Sequence, residues 1–315
     1  MPALLSIEAL EADRRHVEGQ LAGVQDDRWG TVRLMWVSRL ADIDRRIDEL
    51  AARRSSYASV ALMFDGNPVI GAGDIRLDFA TEALDSYQKL VSLTLATNHG
   101  QDLPKRGPVS AANRSRLFIR DVIRGSMGFM LEEVPLGQGS LLSTELKDAV
   151  EGTTKLLLTL SSDSEEAFAT VLEETPPRLI SAVQRFAKLL HEAGASTKIV
   201  GDEERIELSI DDVGRLSNRL NEIEVTEEIV PVDGVLWGVL PEARQFELKL
   251  PGDEGQIMRG TISDELALKY TADVAFKERL LLQPVRAQLR FIHTMRSGRL
   301  VREQRVLEAL EPAPR

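Results

Sequence analysis

The sequence predicts an α+β protein in three parts. These are a coiled-coil-like antiparallel helical hairpin over residues 1–55, a central mixed α+β domain with antiparallel strands over 56–225, and a small β-barrel over 226–315. Three observations predict this class. Apolar residues recur at helical spacing as far as residue 50. Strands and helices then alternate in clusters rather than as strand–helix–strand units, and the helical period ends near Thr226.

The first part carries two series of apolar residues spaced three or four apart, which is the spacing of one helical face. The first series is Ile7, Leu10, Val17, Leu21 and Val24, and the second is Trp36, Leu40, Ile43, Ile47 and Leu50. Gly30 breaks the chain between them and Thr31 is a suitable N-cap. Two helices of similar length joined by a short turn indicate an antiparallel hairpin.

Several apolar residues of this hairpin lie outside the two series and must cover another surface. At its start these are Leu4 and Leu5, and in the second helix they are Leu34, Met35 and Val37. They pack either against the central domain of the same chain or against a second copy. Because residues 53–56 are typical of a linker, we favour the second copy and predict a homodimer contact at Leu34, Met35 and Val37.

The central domain is predicted from two hairpins followed by helices. The predicted strands are 57–64, 69–79, 117–123, 127–134, 197–200 and 205–210, and the predicted helices are 81–96, 143–160, 165–174, one from 176 to 193, and 211–224. After Thr226 the segments 230–240, 245–250, 256–262, 285–295 and 299–307 are predicted strands. Short strands of this number indicate a small barrel, a fold shared by many unrelated functions.

The composition excludes several function classes. Of 315 residues, 39 are Lys or Arg, 50 are Asp or Glu and none is Cys, so thiol chemistry, cysteine-ligated zinc and iron–sulfur clusters are excluded. The net charge of −11 disfavours a protein that coats nucleic acid with its whole surface. Charges interrupt the N-terminus, and no apolar run approaches the roughly 18 residues of a membrane span, so we expect a cytoplasmic protein without membrane partners. Thirty Arg against nine Lys indicates a GC-rich, bacterial genome.

Catalytic motifs do not emerge from the sequence. The four histidines are scattered, and neither a zinc-protease motif nor a nucleophile elbow is present. The loop Gly137-Gln138-Gly139-Ser140 lacks the third glycine or the Lys-Ser/Thr pair of a phosphate-binding loop. We therefore predict no catalytic, cofactor-binding or metal-binding residue, and no cofactor. A weaker alternative is an enzyme with its site in residues 98–115, where His99 is the candidate base.

The charge distribution is more informative. Residues 277–305 hold eight basic residues against two acids, so this segment carries +6 and the rest of the chain −17. Strand alternation places Arg286, Gln288, Arg290 and Arg296 on one face, opposite an apolar set that includes Phe291. The predicted contacts to a partner or to nucleic acid are Arg286, Arg290, Arg296, Arg299 and Arg302.

These patterns favour a non-enzymatic interaction or assembly protein, an accessory subunit of a bacterial multiprotein system such as a defence system. It would dock its partner, another protein or itself, through the hairpin and the Arg-bearing face. The main alternative is a nucleic-acid-binding accessory subunit that uses the same arginines, although the segment lacks exposed aromatic residues for base stacking. The Arg-bearing face could also meet the chain's own acidic stretch, 202–228, or stay merely solvated.

Overall fold

The computed structural model describes residues 1–24, 30–52, 55–71, 73–99, 113–123, 127–134, 143–252 and 255–313. The described chain is a mixed α+β protein that begins with the predicted pair of helices. Its contacts separate into two compact units. The first comprises Met1–Leu95, Ala111–Phe168 and Arg185–Ser217, and the second comprises Ala96–Ser110, Ala169–Gln184 and Asn218–Arg315. The three domain boundaries expected from the sequence stay predictions.

The elements follow the chain in this order. The helices are α1 (Ala3–Ala22), α2 (Thr31–Ala52), α3 (Leu77–Asn98), α4 (Glu145–Ser161), α5 (Glu165–Glu174), α6 (Pro177–Ala193), α7 (Ile210–Asn221), α8 (Asp264–Ala272) and α9 (Val274–Leu280). The strands are β1 (Ser59–Gly66), β2 (Val69–Ile70), β3 (Asp74–Ile75), β4 (Phe118–Ile123), β5 (Met127–Glu132), β6 (Ala195–Val200), β7 (Arg205–Leu208), β8 (Ile223–Leu240), β9 (Gln245–Lys249), β10 (Ile257–Ile262), β11 (Pro284–Arg296) and β12 (Arg299–Pro312).

Helices α1 and α2 contact each other along the predicted seam. Val17 of α1 and Ile43 of α2 are almost completely buried there. Arg14 occupies the position where the α1 series lacks an apolar residue, and its Nε lies 3.3 Å from Glu18 and 3.2 Å from Asp44 of α2. An ion pair at the edge of the seam thus takes the place of the missing apolar contact.

A five-stranded antiparallel sheet forms the centre of the first unit, in the order β4-β5-β1-β6-β7. The prediction of one return strand over 69–79 is wrong. The described residues of this range form the short strands β2 and β3, which pair with each other in a separate two-stranded sheet, and helix α3 begins at Leu77. The alternation of Ile75, Leu77 and Phe79 suggested a strand, but Leu77 is 80% exposed whereas Phe79 packs edge-on against Phe64, with ring centroids 5.3 Å apart. This burial follows a helical face rather than a strand face.

The C-terminal strands of the second unit, β8 to β12, pair in a closed ring in the order β10-β12-β11-β8-β9. The ring is uneven. β11 pairs with β8 and with β12 along most of its length, whereas β10 meets β12 only through Thr261 with Val306 and Ile262 with Leu307. The five predicted strands are all present, but β8 begins at Ile223, inside the helix predicted over 211–224, and α8 and α9 were not predicted. Their N-caps are Ser263 and Asp273, and both helices place apolar side chains in the core of the ring.

Closure of this ring depends on a glycine. A Cβ added to Gly260 would lie 2.5 Å from the Arg305 carbonyl oxygen and 2.7 Å from the Phe246 ring. We therefore expect Gly260→Val to lower the free energy of unfolding by about 1–3 kcal/mol, the usual cost of overpacking. The matched control is Gly238→Val in β8, where an added Cβ meets nothing within 4 Å. Urea unfolding measures both variants, and equal effects would contradict this role of Gly260.

Candidate functional site

The predicted Arg-bearing face lies on β11, but it is not the uniformly wet face expected, because Ile292 and Thr294 on that face are buried. β11 pairs with β8 from Pro284 to Arg296 without a register shift, so Arg286, Arg290 and Arg296 share one face. Phe291 lies on the other face and packs against the core of the ring, as expected.

The expected solvent exposure of Arg290 is wrong. Its side chain is only 4% exposed, because carboxylates enclose it from both neighbouring strands. Glu227 of β8 lies 3.2 Å away, and the Nε of Arg290 donates to Glu308 of β12. The guanidinium is therefore a buried ion-paired group rather than an open contact for a phosphate.

The other two arginines of this face also have carboxylate partners. Arg286 donates twice to Asp233, at 2.9 and 3.1 Å, and holds the pKa of that carboxyl below its usual value. Arg296 lies 3.4 Å from Glu222. Glu222 and the Glu227 partner of Arg290 both belong to the chain's own acidic stretch. The intramolecular alternative considered from the sequence is thus present at two positions.

Arg299 and Arg302, in β12, differ in their surroundings. Arg302 donates to the carbonyl oxygens of Glu173 and Thr175 at 2.8 and 3.0 Å, and burial lowers its pKa. Arg299 is exposed at the tip of the β11–β12 hairpin, after Gly298, whose φ is +77°. The five predicted arginines therefore do not form one open basic surface.

The predicted contact residues on α2 lie at its solvent-exposed start. Leu34 is 70% exposed, and Met35 and Val37 are also exposed, as is Val32, two residues before Leu34. We call these four residues the α2 tip cluster. Helical geometry distributes them around the first two turns instead of along one stripe. Beyond Val37 the outer face carries charged residues such as Arg45.

The other end of the hairpin already contacts its own chain. Leu4 and Leu5 of α1 pack against Ala61, Met63 and Val200 of the sheet. Lys198 donates to Glu8 at 2.6 Å beside them. For Leu4 and Leu5, the structure thus shows packing against the same chain, which was the alternative to a second copy.

A buried charge pair fixes this end of the hairpin, and sequence reasoning missed it. Lys147 of α4 and Asp202, in the turn between β6 and β7, are each only 3% exposed, and their charged atoms lie 3.4 Å apart. The ammonium also donates to the Ser55 carbonyl oxygen at 2.5 Å, and Asp202 accepts the Ala3 N–H at 2.7 Å. One pair thereby holds both ends of the helical hairpin.

The turn that carries Asp202 is itself held by a carboxylate. Glu151, one turn after Lys147 on α4, accepts the backbone N–H groups of Asp202, Glu203 and Glu204 at 2.7, 3.3 and 2.9 Å. Burial raises the pKa of Glu151, although these three donors oppose the shift. The acids of residues 202–204 therefore belong to a fixed turn. The only sequence signal was a lysine beside the apolar stripe of α4.

The structure describes few of the residues that the weaker enzyme alternative depends on. His99 is exposed at the end of α3, and most of the loop 98–115, as well as the Gly137-Gln138-Gly139-Ser140 loop, lies outside the described residues. Among the residues that the structure describes, no group of His, Cys, Asp and Glu is arranged to hold a metal ion. In the same part of the chain, no helix has the length and apolar character needed to cross a membrane.

Comparisons with protein-family models, with curated proteins and with solved structures gave no match.

Proposed function

We propose that this protein is a non-enzymatic assembly protein, an accessory subunit that docks a partner protein through the α2 tip cluster. The observation that carries the proposal is the exposure of Val32, Leu34, Met35 and Val37 at the end of a helix pair whose opposite end is packed on its own sheet. Exposed apolar groups grouped in this way are typical of interaction sites, whereas single exposed ones are ordinary.

The shape of the cluster favours a partner with a pocket over the homodimer expected from the sequence. A two-fold four-helix arrangement needs an apolar stripe along both helices. The outer face of α2 instead becomes charged after Val37, and the interior seam is already filled by Val17 and Ile43. A helix start that exposes four apolar side chains, with Arg33 among them, fits a concave apolar site on another protein.

The arginine contacts favour protein docking over nucleic-acid binding. Binding of phosphate groups requires guanidinium groups free to replace counterions. Arg286, Arg290 and Arg296 already pair with carboxylates, and Arg302 donates to two carbonyl groups. In our proposal the strand ring, which we interpret as a small barrel, contributes only a minor polar contact through the exposed Arg299.

A photo-crosslinking residue placed at position 34 tests the docking proposal. We expect a covalent adduct with a second, different polypeptide in the native host, because Leu34 would lie inside the partner's pocket. The adduct should disappear when Met35→Lys and Val37→Lys are added. The matched control carries the crosslinker at position 77, since Leu77 is also strongly exposed but far from the cluster in sequence. An adduct only with the chain itself, or equal adducts at both positions, would overturn the proposal.

The nucleic-acid alternative has its own experiment. We expect no binding of mixed duplex DNA or RNA at about 50 mM salt, where phosphate contacts are strong. Arg286→Glu with Arg299→Glu is the informative double variant, because both side chains reach solvent and their loss leaves the buried Arg290 in place. If the unchanged chain bound nucleic acid with a salt slope of several units, and the double variant lost this binding, the protein would be a nucleic-acid-binding subunit instead.

A further inference from the structure

Strand β4 leaves an exposed edge on the sheet of the first unit. It is the terminal strand of the order β4-β5-β1-β6-β7, so only one of its long edges pairs within that sheet. Five of its six residues are exposed, among them Phe118, Ile119 and Val122. Long apolar edge strands readily pair with another strand, and proteins usually protect them.

The sequence of this strand complements itself in the antiparallel direction. It reads Phe-Ile-Arg-Asp-Val-Ile from Phe118 to Ile123. When a second copy runs alongside in the opposite direction, Phe118 lies opposite Ile123 and Ile119 opposite Val122. Arg120 then lies opposite Asp121, and the same pair recurs across the two-fold axis. Apolar and opposite-charge pairs of this kind stabilise neighbouring strands.

In a regular strand this register would fail, and the bulge in β4 makes it feasible. A two-fold axis perpendicular to a sheet keeps each residue on its own face, so opposed residues must share a face. Phe118 and Ile123 are five positions apart and would lie on opposite faces of a regular strand. The register shift between Ile119 and Asp121 changes this.

The pairing with β5 gives the faces directly. Phe118 is opposite Glu132 and Ile123 is opposite Gly128, and these β5 residues are four positions apart, so they share a face. Ile119 and Val122 are opposite Leu131 and Phe129, two positions apart, and share the other face. The extra residue, Arg120, therefore lets the two members of each apolar pair share a face.

We propose that β4 pairs with β4 of a second copy of this chain around a two-fold axis, so that one continuous sheet spans both copies. Arg120 and Asp121 make only local contacts within their own chain, and these contacts can be replaced by the pair across the axis. Asp121 accepts the Val122 N–H at 2.8 Å, and Arg120 lies 3.8 Å from Glu132 with an exposed side chain. The pairing does not depend on the α2 tip cluster or on its partner.

Complementary charge reversal tests the pairing by sedimentation velocity over a range of concentrations. In a dimer of Arg120→Asp, the new Asp of each copy lies opposite Asp121 of the other copy. In a dimer of Asp121→Arg, the new Arg of each copy lies opposite Arg120 of the other copy. Each variant should therefore dimerise about tenfold more weakly than the unchanged chain. An equal mixture of the two variants restores an Arg opposite an Asp at both positions, so a heterodimer should form with the original affinity.

Arg185→Asp is the control, because it makes the same charge change at an exposed position of α6. It should leave dimerisation unchanged, and circular dichroism should show all variants folded. A chain that stays monomeric at every concentration would overturn the proposal. So would a dimer insensitive to both single variants, or a mixture that does not restore it. If Met35→Lys with Val37→Lys abolished self-association while the β4 variants did not, the two copies would meet through the α2 tip cluster and not through β4.

Discussion

Replacing Lys147 with methionine is expected to lower the free energy of unfolding by about 3–5 kcal/mol, one of the largest effects of any single substitution in this chain. The variant removes the ammonium group but leaves Asp202, only 3% exposed, without its counter-charge. A buried carboxylate that loses its partner retains the full cost of its desolvation. The Ser55 carbonyl oxygen loses a donor in the same step. Urea unfolding followed by circular dichroism measures the change.

Two further variants separate the charge effect from the loss of a long side chain. Lys155→Met alters an exposed lysine of the same helix and should change stability by less than about 0.5 kcal/mol. Lys147→Met combined with Asp202→Asn removes both charges and keeps an oxygen that accepts the Ala3 N–H, so it should recover much of the loss. If Lys147→Met were no worse than Lys155→Met, the pair would not hold the hairpin.

Replacement of Arg290 by methionine should produce the second large effect, a loss of about 3 kcal/mol. Glu227 and Glu308 would then face each other across β11 without the cation that separates them. The value lies at the lower end of the range for buried pairs because Glu308 is 29% exposed and water can reach it. Chemical unfolding gives the free energy, and near-UV spectra report whether the ring keeps its packing.

The matched control is Arg286→Met, four residues earlier on the same strand and face. Its partner Asp233 is exposed, and exposed ion pairs contribute at most about 1 kcal/mol. We therefore expect a much smaller loss. Comparable losses for Arg286→Met and Arg290→Met would contradict the distinction between an open and an enclosed arginine on one strand.

Local patterns predicted much of the fold. The seam of α1 and α2 could be predicted because buried residues such as Val17 and Ile43 recur at fixed helical spacing. The five strands of the ring could be predicted from short alternating segments between turns. The failure at Leu77 has a local cause, since three apolar residues at alternate positions occur by chance at the start of a helix.

The candidate sites depended on contacts that a linear pattern does not contain. The alternation of β11 grouped Arg290 with Arg286 and Arg296 but predicted an exposed face, whereas Glu227 and Glu308 on two other strands enclose Arg290. The burial of Lys147 likewise requires Ser55 and Asp202. The sequence singled out Leu34, Met35 and Val37 because these residues fall outside the seam, which requires no knowledge of distant contacts; Val32 was missed, and the contact role of the cluster stays a prediction.

The hydrogen bond from Ala3 to Asp202 also has a consequence for biosynthesis. The two residues are 199 positions apart, so the chain's first helix cannot reach its final anchor until most of the protein has been made. At about 5–20 residues per second, that interval is about 10–40 s. Helices α1 and α2 can pair early, since their contacts are close in sequence. During this interval Leu4 and Leu5 lack Val200, so the nascent chain exposes an apolar helix end.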